Sequence, residues 1–111
     1  IAVMGDGCAE MVLGELATLR DSGEPLVVVV LADRSLALIE LKQRREGKQN
    51  AGVDYAGRTD FVGLAALFGG VGVRVSGPGE AGSALHEALG RTDRFTLIEV
   101  EIPRRAYDGL I

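Results

Sequence analysis

Two acidic turns are the residues of this chain whose types and spacing could do chemistry. Gly5-Asp6-Gly7 follows the apolar run Ile1–Met4, and Asp33 follows the apolar run Leu26–Leu31. If these runs are neighbouring strands of a parallel sheet, both acids lie at the carboxyl edge of that sheet, where open α/β sheets bind ligands. Two carboxylates at one edge can share one metal ion.

The residues around Asp6 favour an anion at the same place. Gly5 and Gly7 permit a tight turn and a close backbone approach. A helix predicted to begin at Cys8 presents unpaired N–H groups and a positive dipole end, which suit a phosphate. An anion beside two acids needs a cation between them, and Mg²⁺ takes carboxylate and phosphate oxygens. The residues therefore predict a Mg²⁺–diphosphate site, with plain helix capping by Asp6 as the alternative.

The elements that must position these turns alternate between strand and helix. The sequence predicts the order β-α-β-α-α-β-α-β, and the first helix covers Cys8–Arg20. Ser35 is predicted to cap the second helix and Thr59 or Asp60 the third, and Pro78 lies in the first turn of the fourth. Such alternation indicates right-handed crossovers and a parallel sheet that is covered on both faces. The predicted fold is a three-layer α/β/α, flavodoxin-like domain over residues 1–111.

Several segments together resemble the cofactor-binding signature of thiamine diphosphate (ThDP) enzymes. The first is Gly5-Asp6-Gly7, and Asp33 follows Asp6 by 27 positions, at the end of a run of valines. The flanking segments Gly14–Thr18, Ser35–Ile39, Asp60–Ala65 with Gly72–Val75, and Leu97–Val100 are similar to the corresponding parts of the family. The resemblance covers residues 1 to about 102 and is closest to the acetolactate synthase and 2-oxo acid decarboxylase branch.

The resemblance implies a role for each site residue. Mg²⁺ would take a carboxylate oxygen of Asp6, a side-chain oxygen of Asp33 and the backbone carbonyl of Ser35. Gly5 would form the turn, and the N–H groups of Gly7 and Cys8 would approach the diphosphate. One departure stands out, since Ala32-Asp33 replaces the Asn-Asn of the family and adds a negative charge beside the diphosphate.

The resemblance also implies a larger protein. The chain opens on an apolar strand and lacks an initiator methionine, so we expect a fragment of an enzyme that decarboxylates or carboligates 2-oxo acids. The glutamate that activates the cofactor would lie on a partner, pyrimidine-binding domain, so we expect the chain alone to be inactive. The full protein would be a homodimer or homotetramer, because the cofactor sits between two chains in the family.

Charge and composition exclude some partners. The net charge of −4 argues against nucleic acid, and Lys42–Arg45 reads as the solvated end of a helix. The longest apolar run is too short to cross a membrane. The single cysteine permits no intrachain disulfide, which fits a cytoplasmic protein.

Two other functions are compatible with parts of this pattern. A stand-alone, flavodoxin-like metal-binding or regulatory module would also use Asp6 and Asp33, without catalysis. A dinucleotide-binding domain is a weaker alternative, because Gly5-Asp6-Gly7 lacks the full G-x-G-x-x-G motif. His86, the only histidine, is predicted to lie on the surface of a helix away from the site.

Overall fold

The computed structural model describes residues 1–111 as one α/β unit. Its strands are β1 (Ala2–Gly5), β2 (Val27–Ala32), β3 (Val71–Ser76) and β4 (Thr96–Glu101). Its helices are α1 (Asp6–Met11), α2 (Glu15–Ser22), α3 (Ala37–Arg45), α4 (Phe61–Leu67) and α5 (Gly77–Leu89). The predicted alternation of strands and helices is confirmed, apart from one extra break in the first helix.

The four strands form one parallel sheet in the order β1-β2-β4-β3. The register sets Gly5 of β1 beside Leu31 of β2, so both strands end at the same edge. The chain runs in one direction from β1 through β2 to β3 and then turns back to insert β4. Because crossovers are right-handed, this reversal should send the last helix to the opposite face of the sheet.

Two apolar cores confirm that the sheet is covered on both faces. One contains Val28, Val30 and Leu97 of the sheet under Leu16 of α2 and Phe61 of α4, together with Ala9, Ala65 and Phe95. The other packs α5, through Ala88, on strand residues that include Ile98 and Val100. The two central strands, β2 and β4, bury side chains on both faces, whereas the edge strands β1 and β3 are covered less completely, and Val3 of β1 is 63% exposed.

The predicted helix over Cys8–Arg20 is wrong as a single element. It is two helices separated by Val12-Leu13-Gly14. Here the backbone makes short-range bonds such as Glu15 N–H to Val12 O at 2.9 Å, which tighten the turn beyond an α-helix. β-branched Val12, at φ −119°, and the nearby glycine both weaken a helix at this point.

The caps predicted from the sequence have mixed outcomes. Asp60 caps α4, since its carboxylate accepts the N–H of Gly63 at 3.1 Å, and Pro78 lies in the first turn of α5. The prediction that Ser35 caps the next helix is wrong. Leu36 occupies the cap position without a side-chain bond, and the Ser35 hydroxyl bonds to Glu40 instead. None of the helices combines the length and the apolar character that crossing a bilayer requires.

Candidate functional site

The structure brings the two predicted acids together. β1 and β2 are paired neighbours, Asp6 begins α1 directly after β1, and Asp33 follows β2. The two loops are joined by a hydrogen bond, in which the backbone N–H of Arg34 donates to Oδ2 of Asp6 at 2.8 Å. Asp6 is 5% exposed and Asp33 is 7% exposed. Two buried carboxyl groups therefore share one edge of the sheet.

The backbone at Arg34 is what turns the second loop towards the first. Arg34 has φ 62°, in the left-handed region that non-glycine residues rarely adopt. Its side chain stays exposed and reaches Glu101 at 3.5 Å. Unusual backbone held by its surroundings is common at functional sites, and here it coincides with the bond to Asp6.

Burial of the two acids makes their ionised forms costly. Burial raises the pKa of Asp6 above its ordinary value, although the N–H groups of Arg34 and Gly7 oppose the rise and the charge of Glu10 adds to it. Burial likewise raises the pKa of Asp33, and the charges of Asp6 and Glu40 raise it further. The site thus concentrates negative charge that has little local compensation.

One carboxylate oxygen at this edge has no protein partner. Oδ1 of Asp33 accepts the N–H of Ser35 at 3.0 Å, whereas Oδ2 is buried and bonds to no protein group. A buried carboxylate oxygen without a partner costs free energy, on the order of 1–3 kcal/mol. Such an atom is suited to a ligand that arrives from outside the chain.

The glycine turn leaves space for close approach, but one of its amides is already used. The N–H of Gly7 donates to Oδ1 of Asp6 at 2.8 Å. A Cβ on Gly7 would come within 2.9 Å of Leu36 Cδ2 and of the Tyr55 hydroxyl, so only glycine fits here without displacement. Cys8 is exposed in the first turn of α1, where N–H groups have no partner within the helix.

Ser35 is fixed by a buried ion-pair hub centred on Glu40. The Glu40 side chain is 1% exposed and accepts the Ser35 hydroxyl at 2.6 Å. It also accepts Nε of Arg105 at 2.8 Å and Nε of Arg104 at 2.9 Å. These bonds, with that of Ser35 the strongest, lower the pKa of Glu40 to about 2. Glu40 therefore stays ionised at neutral pH and joins the Asp33 loop to the C-terminal segment.

These contacts were not foreseen from the sequence. Tyr55 and Glu40 lie beside the site, yet neither belongs to a motif recognised in the sequence. Arg34 lies in the family-like segment Ala32-Asp33-Arg34-Ser35, but no role was predicted for it. Arg104 and Arg105, which follow the last strand, both bond to Glu40. His86 is exposed on α5, as predicted.

With this geometry in place, comparison with known proteins assigns the family. Residues 1–100 match the family described as "Thiamine pyrophosphate enzyme, C-terminal TPP binding domain". Since the match spans most of the chain, the chain belongs to that family of thiamine-pyrophosphate-binding domains. The resemblance seen in the sequence is confirmed.

Individual relatives agree with this assignment. The chain is 34% identical to the acetolactate synthase isozyme 3 large subunit of Escherichia coli, over 92% of the chain and 18% of that protein. It is 35% identical to the indole-3-pyruvate decarboxylase of Azospirillum brasilense, over 94% of the chain and 18% of that protein. The chain thus spans less than a fifth of the length of these relatives.

A solved structure shares the fold as well. The thiamine diphosphate-dependent 4-hydroxybenzoylformate decarboxylase of Rhodococcus jostii RHA1 superposes with a TM-score of 0.82 and 27% identity. The superposition covers 91% of this chain and 19% of that one. The parallel α/β fold predicted from the sequence is therefore that of a ThDP enzyme domain.

Proposed function

We propose that this chain binds the diphosphate group of ThDP through a Mg²⁺ ion held by Asp6, Asp33 and the backbone carbonyl of Ser35. The observation that carries the proposal is the shared burial of Asp6 and Asp33 at one strand edge, with Oδ2 of Asp33 lacking a protein partner. A divalent cation would supply that partner. It would also stabilise the ionised forms of both acids, whose pKa values are raised first by burial and then by neighbouring charge.

The chemistry of the donor groups fits magnesium. All of them are oxygens, which Mg²⁺ prefers, and Mg²⁺ is usually held by one or two carboxylates together with substrate phosphates. Each oxygen of Asp6 accepts one backbone N–H, which leaves further lone pairs for a metal and fixes the carboxylate in place. Asp33 in place of the family's asparagine retains an oxygen and adds negative charge.

The residues of this chain would bind and orient the cofactor rather than react with it. Gly5 and Gly7 would let the diphosphate approach the backbone, and the N–H of Cys8 would donate to it. The Glu40 hub would hold the Ser35 loop in position through the hydroxyl of Ser35. Bound here, the cofactor would supply the electron sink that lets 2-oxo acids lose CO₂.

The activity of the whole protein follows from the family and stays part of the proposal. We infer an enzyme of the acetolactate synthase or 2-oxo acid decarboxylase type, with this chain as its cofactor-binding C-terminal domain. The activating glutamate and most substrate contacts would lie on the pyrimidine-binding domain of the same or a second chain. We therefore expect a homodimer or homotetramer, and no turnover by the chain alone. A cytoplasmic location remains a prediction.

A non-catalytic binding module remains the second candidate because of one departure from the family. Ala32-Asp33 replaces Asn-Asn, and the added carboxylate changes the charge at the diphosphate. Tight Mg²⁺–ThDP binding by the natural full-length protein, without decarboxylation of any 2-oxo acid, would favour the module. Turnover of a 2-oxo acid would favour the enzyme.

Calorimetric titration of ThDP into the natural full-length protein, with and without Mg²⁺, tests the site. We expect binding that depends on Mg²⁺, and Asp6→Ala should weaken it by at least about tenfold. Asp21→Ala is the matched control, since Asp21 is an exposed acid that pairs with Arg20 far from the strand edge. Unchanged affinity in Asp6→Ala would remove Asp6 from the site.

A further inference from the structure

Tyr55 lies in a loop that is anchored against the proposed site. The loop follows α3 and contains neither helix nor strand, yet Val53 within it is 1% exposed. The N–H of Leu36 donates to the carbonyl of Val53 at 2.9 Å, and Ser35 pairs with Asp54 as an antiparallel bridge. These contacts hold the loop beside the residues that follow Asp33.

The Tyr55 hydroxyl is buried without a protein partner. It stands close to the glycine turn, since a Cβ on Gly7 would come within 2.9 Å of the hydroxyl oxygen. Tyr55, Asp6 and Glu10 together line a cavity of about 20 Å³, which is room for one water molecule. A tyrosine hydroxyl that is buried usually finds a hydrogen-bond partner.

The Tyr55 hydroxyl can donate a hydrogen bond at neutral pH, as an ordinary tyrosine hydroxyl can. Burial, and then the charges of Asp6, Glu10 and Asp33, raise the pKa of Tyr55 to about 12. The hydroxyl is therefore protonated at neutral pH. None of the nearby carboxylates accepts this hydroxyl: Asp6 accepts the N–H groups of Gly7 and Arg34, Asp33 accepts that of Ser35, and Glu10 accepts the Thr59 hydroxyl.

We propose that the Tyr55 hydroxyl donates a hydrogen bond to a phosphate oxygen of the diphosphate group bound at the Asp6–Asp33 site. The inference rests on the proposed function and adds a side-chain donor to it. This donor would join the N–H of Cys8 at the diphosphate, since the N–H of Gly7, which the sequence assigned to the diphosphate, is engaged by Asp6. Tyr55 therefore acts as a binding residue beside the glycine turn.

The test compares Tyr55→Phe with the wild type in the natural full-length protein. The substitution removes one oxygen and keeps the ring. We expect the affinity for ThDP, and for inorganic pyrophosphate, to fall about tenfold in the presence of Mg²⁺. Tyr107→Phe is the control, because Tyr107 also lies near the two acids but its hydroxyl is not a buried, unpartnered atom. It should bind both ligands as the wild type does.

A Tyr55→Phe variant that binds ThDP and pyrophosphate as tightly as the wild type would overturn the inference alone. If that variant also melted at a lower temperature without ligand, the hydroxyl would have a structural role instead. If the wild type itself bound no ThDP, the proposed function would fail together with this contact, so the two failures are distinguishable.

Discussion

Replacing Glu40 by glutamine should remove a stabilising contribution that depends on pH. The carboxylate of Glu40 is buried against the Ser35 hydroxyl, Arg104 and Arg105, and its pKa falls from 4.5 to about 2. That difference corresponds to at most about 3 kcal/mol of folding free energy. The realised value should be smaller, because solvent screens the half-exposed guanidinium groups.

The sign of the effect follows from the direction of the shift. Because the folded-state pKa lies below the unfolded one, the contribution of Glu40 is fully present above about pH 4.5 and disappears as the pH falls towards 2. Glu40→Gln should therefore be less stable than the wild type at pH 7 by about 1–3 kcal/mol. The two proteins should approach equal stability near pH 2.

Urea unfolding of the chain and the variant from pH 7 down to pH 2 measures this difference. Glu46→Gln is the matched control, since Glu46 is an exposed glutamate at the end of the same helix and pairs only with Lys48. It should change stability by less than about 0.5 kcal/mol at every pH. A Glu40→Gln deficit that stays constant with pH would refute the charge-based explanation of the hub.

Substitutions at three further positions test the geometry of the strand edge. Asp33→Asn should raise the stability of the metal-free protein at pH 7 by about 1 kcal/mol, because it removes a buried carboxylate whose pKa is raised. Thermal melting with and without Mg²⁺ measures this, and a lower melting temperature of the variant without metal would contradict it. Gly7→Ala should lower the free energy of unfolding by about 1–3 kcal/mol, because the added Cβ is crowded by its neighbours. Gly14→Ala is the control, since an added Cβ there has no neighbour within 4 Å, and equal melting temperatures of the two variants would contradict this explanation. Arg34→Gly should leave stability unchanged or raise it by up to about 1 kcal/mol, and Arg34→Val should lower it, because the backbone of residue 34 has φ 62°. Chemical unfolding measures both variants, and equal losses of stability would show that backbone strain is not the cause.

The sheet and its acidic edge could be predicted because their signals are local and repeated. Val27–Ala32 is an apolar run that only a strand buried on both faces explains. Once β1 and β2 are taken as neighbours, the placement of Asp6 beside the residues after Asp33 follows from parallel pairing alone. The sequence likewise predicted a cap at Thr59 or Asp60 ahead of the apolar pattern of α4, and Asp60 is the residue that caps it.

The break in the predicted helix Cys8–Arg20 could not be predicted from the sequence in the same way. Its apolar residues keep helical spacing through Val12-Leu13-Gly14, so periodicity gave no sign of the turn there. Backbone preferences at Val12 and Gly14 decided the outcome, and these are weak compared with a pattern over a dozen residues.

The contacts around the site were beyond sequence reasoning because they join distant segments. Glu40 and Arg105 meet across 65 positions, and no motif links them. Tyr55 lies in a polar connection without periodicity, so its burial beside Gly7 depends on how the loop packs. Only the pair of Glu40 and Arg44 has a spacing that a sequence can indicate, since i and i+4 residues are neighbours on a helix. Their side chains approach to 3.8 Å on α3.

Locating the metal ion tests the central claim most directly. Mn²⁺ accepts the same octahedral oxygen ligands as Mg²⁺ and is visible by anomalous diffraction. In crystals of the natural full-length protein grown with ThDP and Mn²⁺, we predict one anomalous peak per chain in this domain, at an ion coordinated by the carboxylates of both Asp6 and Asp33. A peak elsewhere, or an ion that contacts neither carboxylate, would contradict the account.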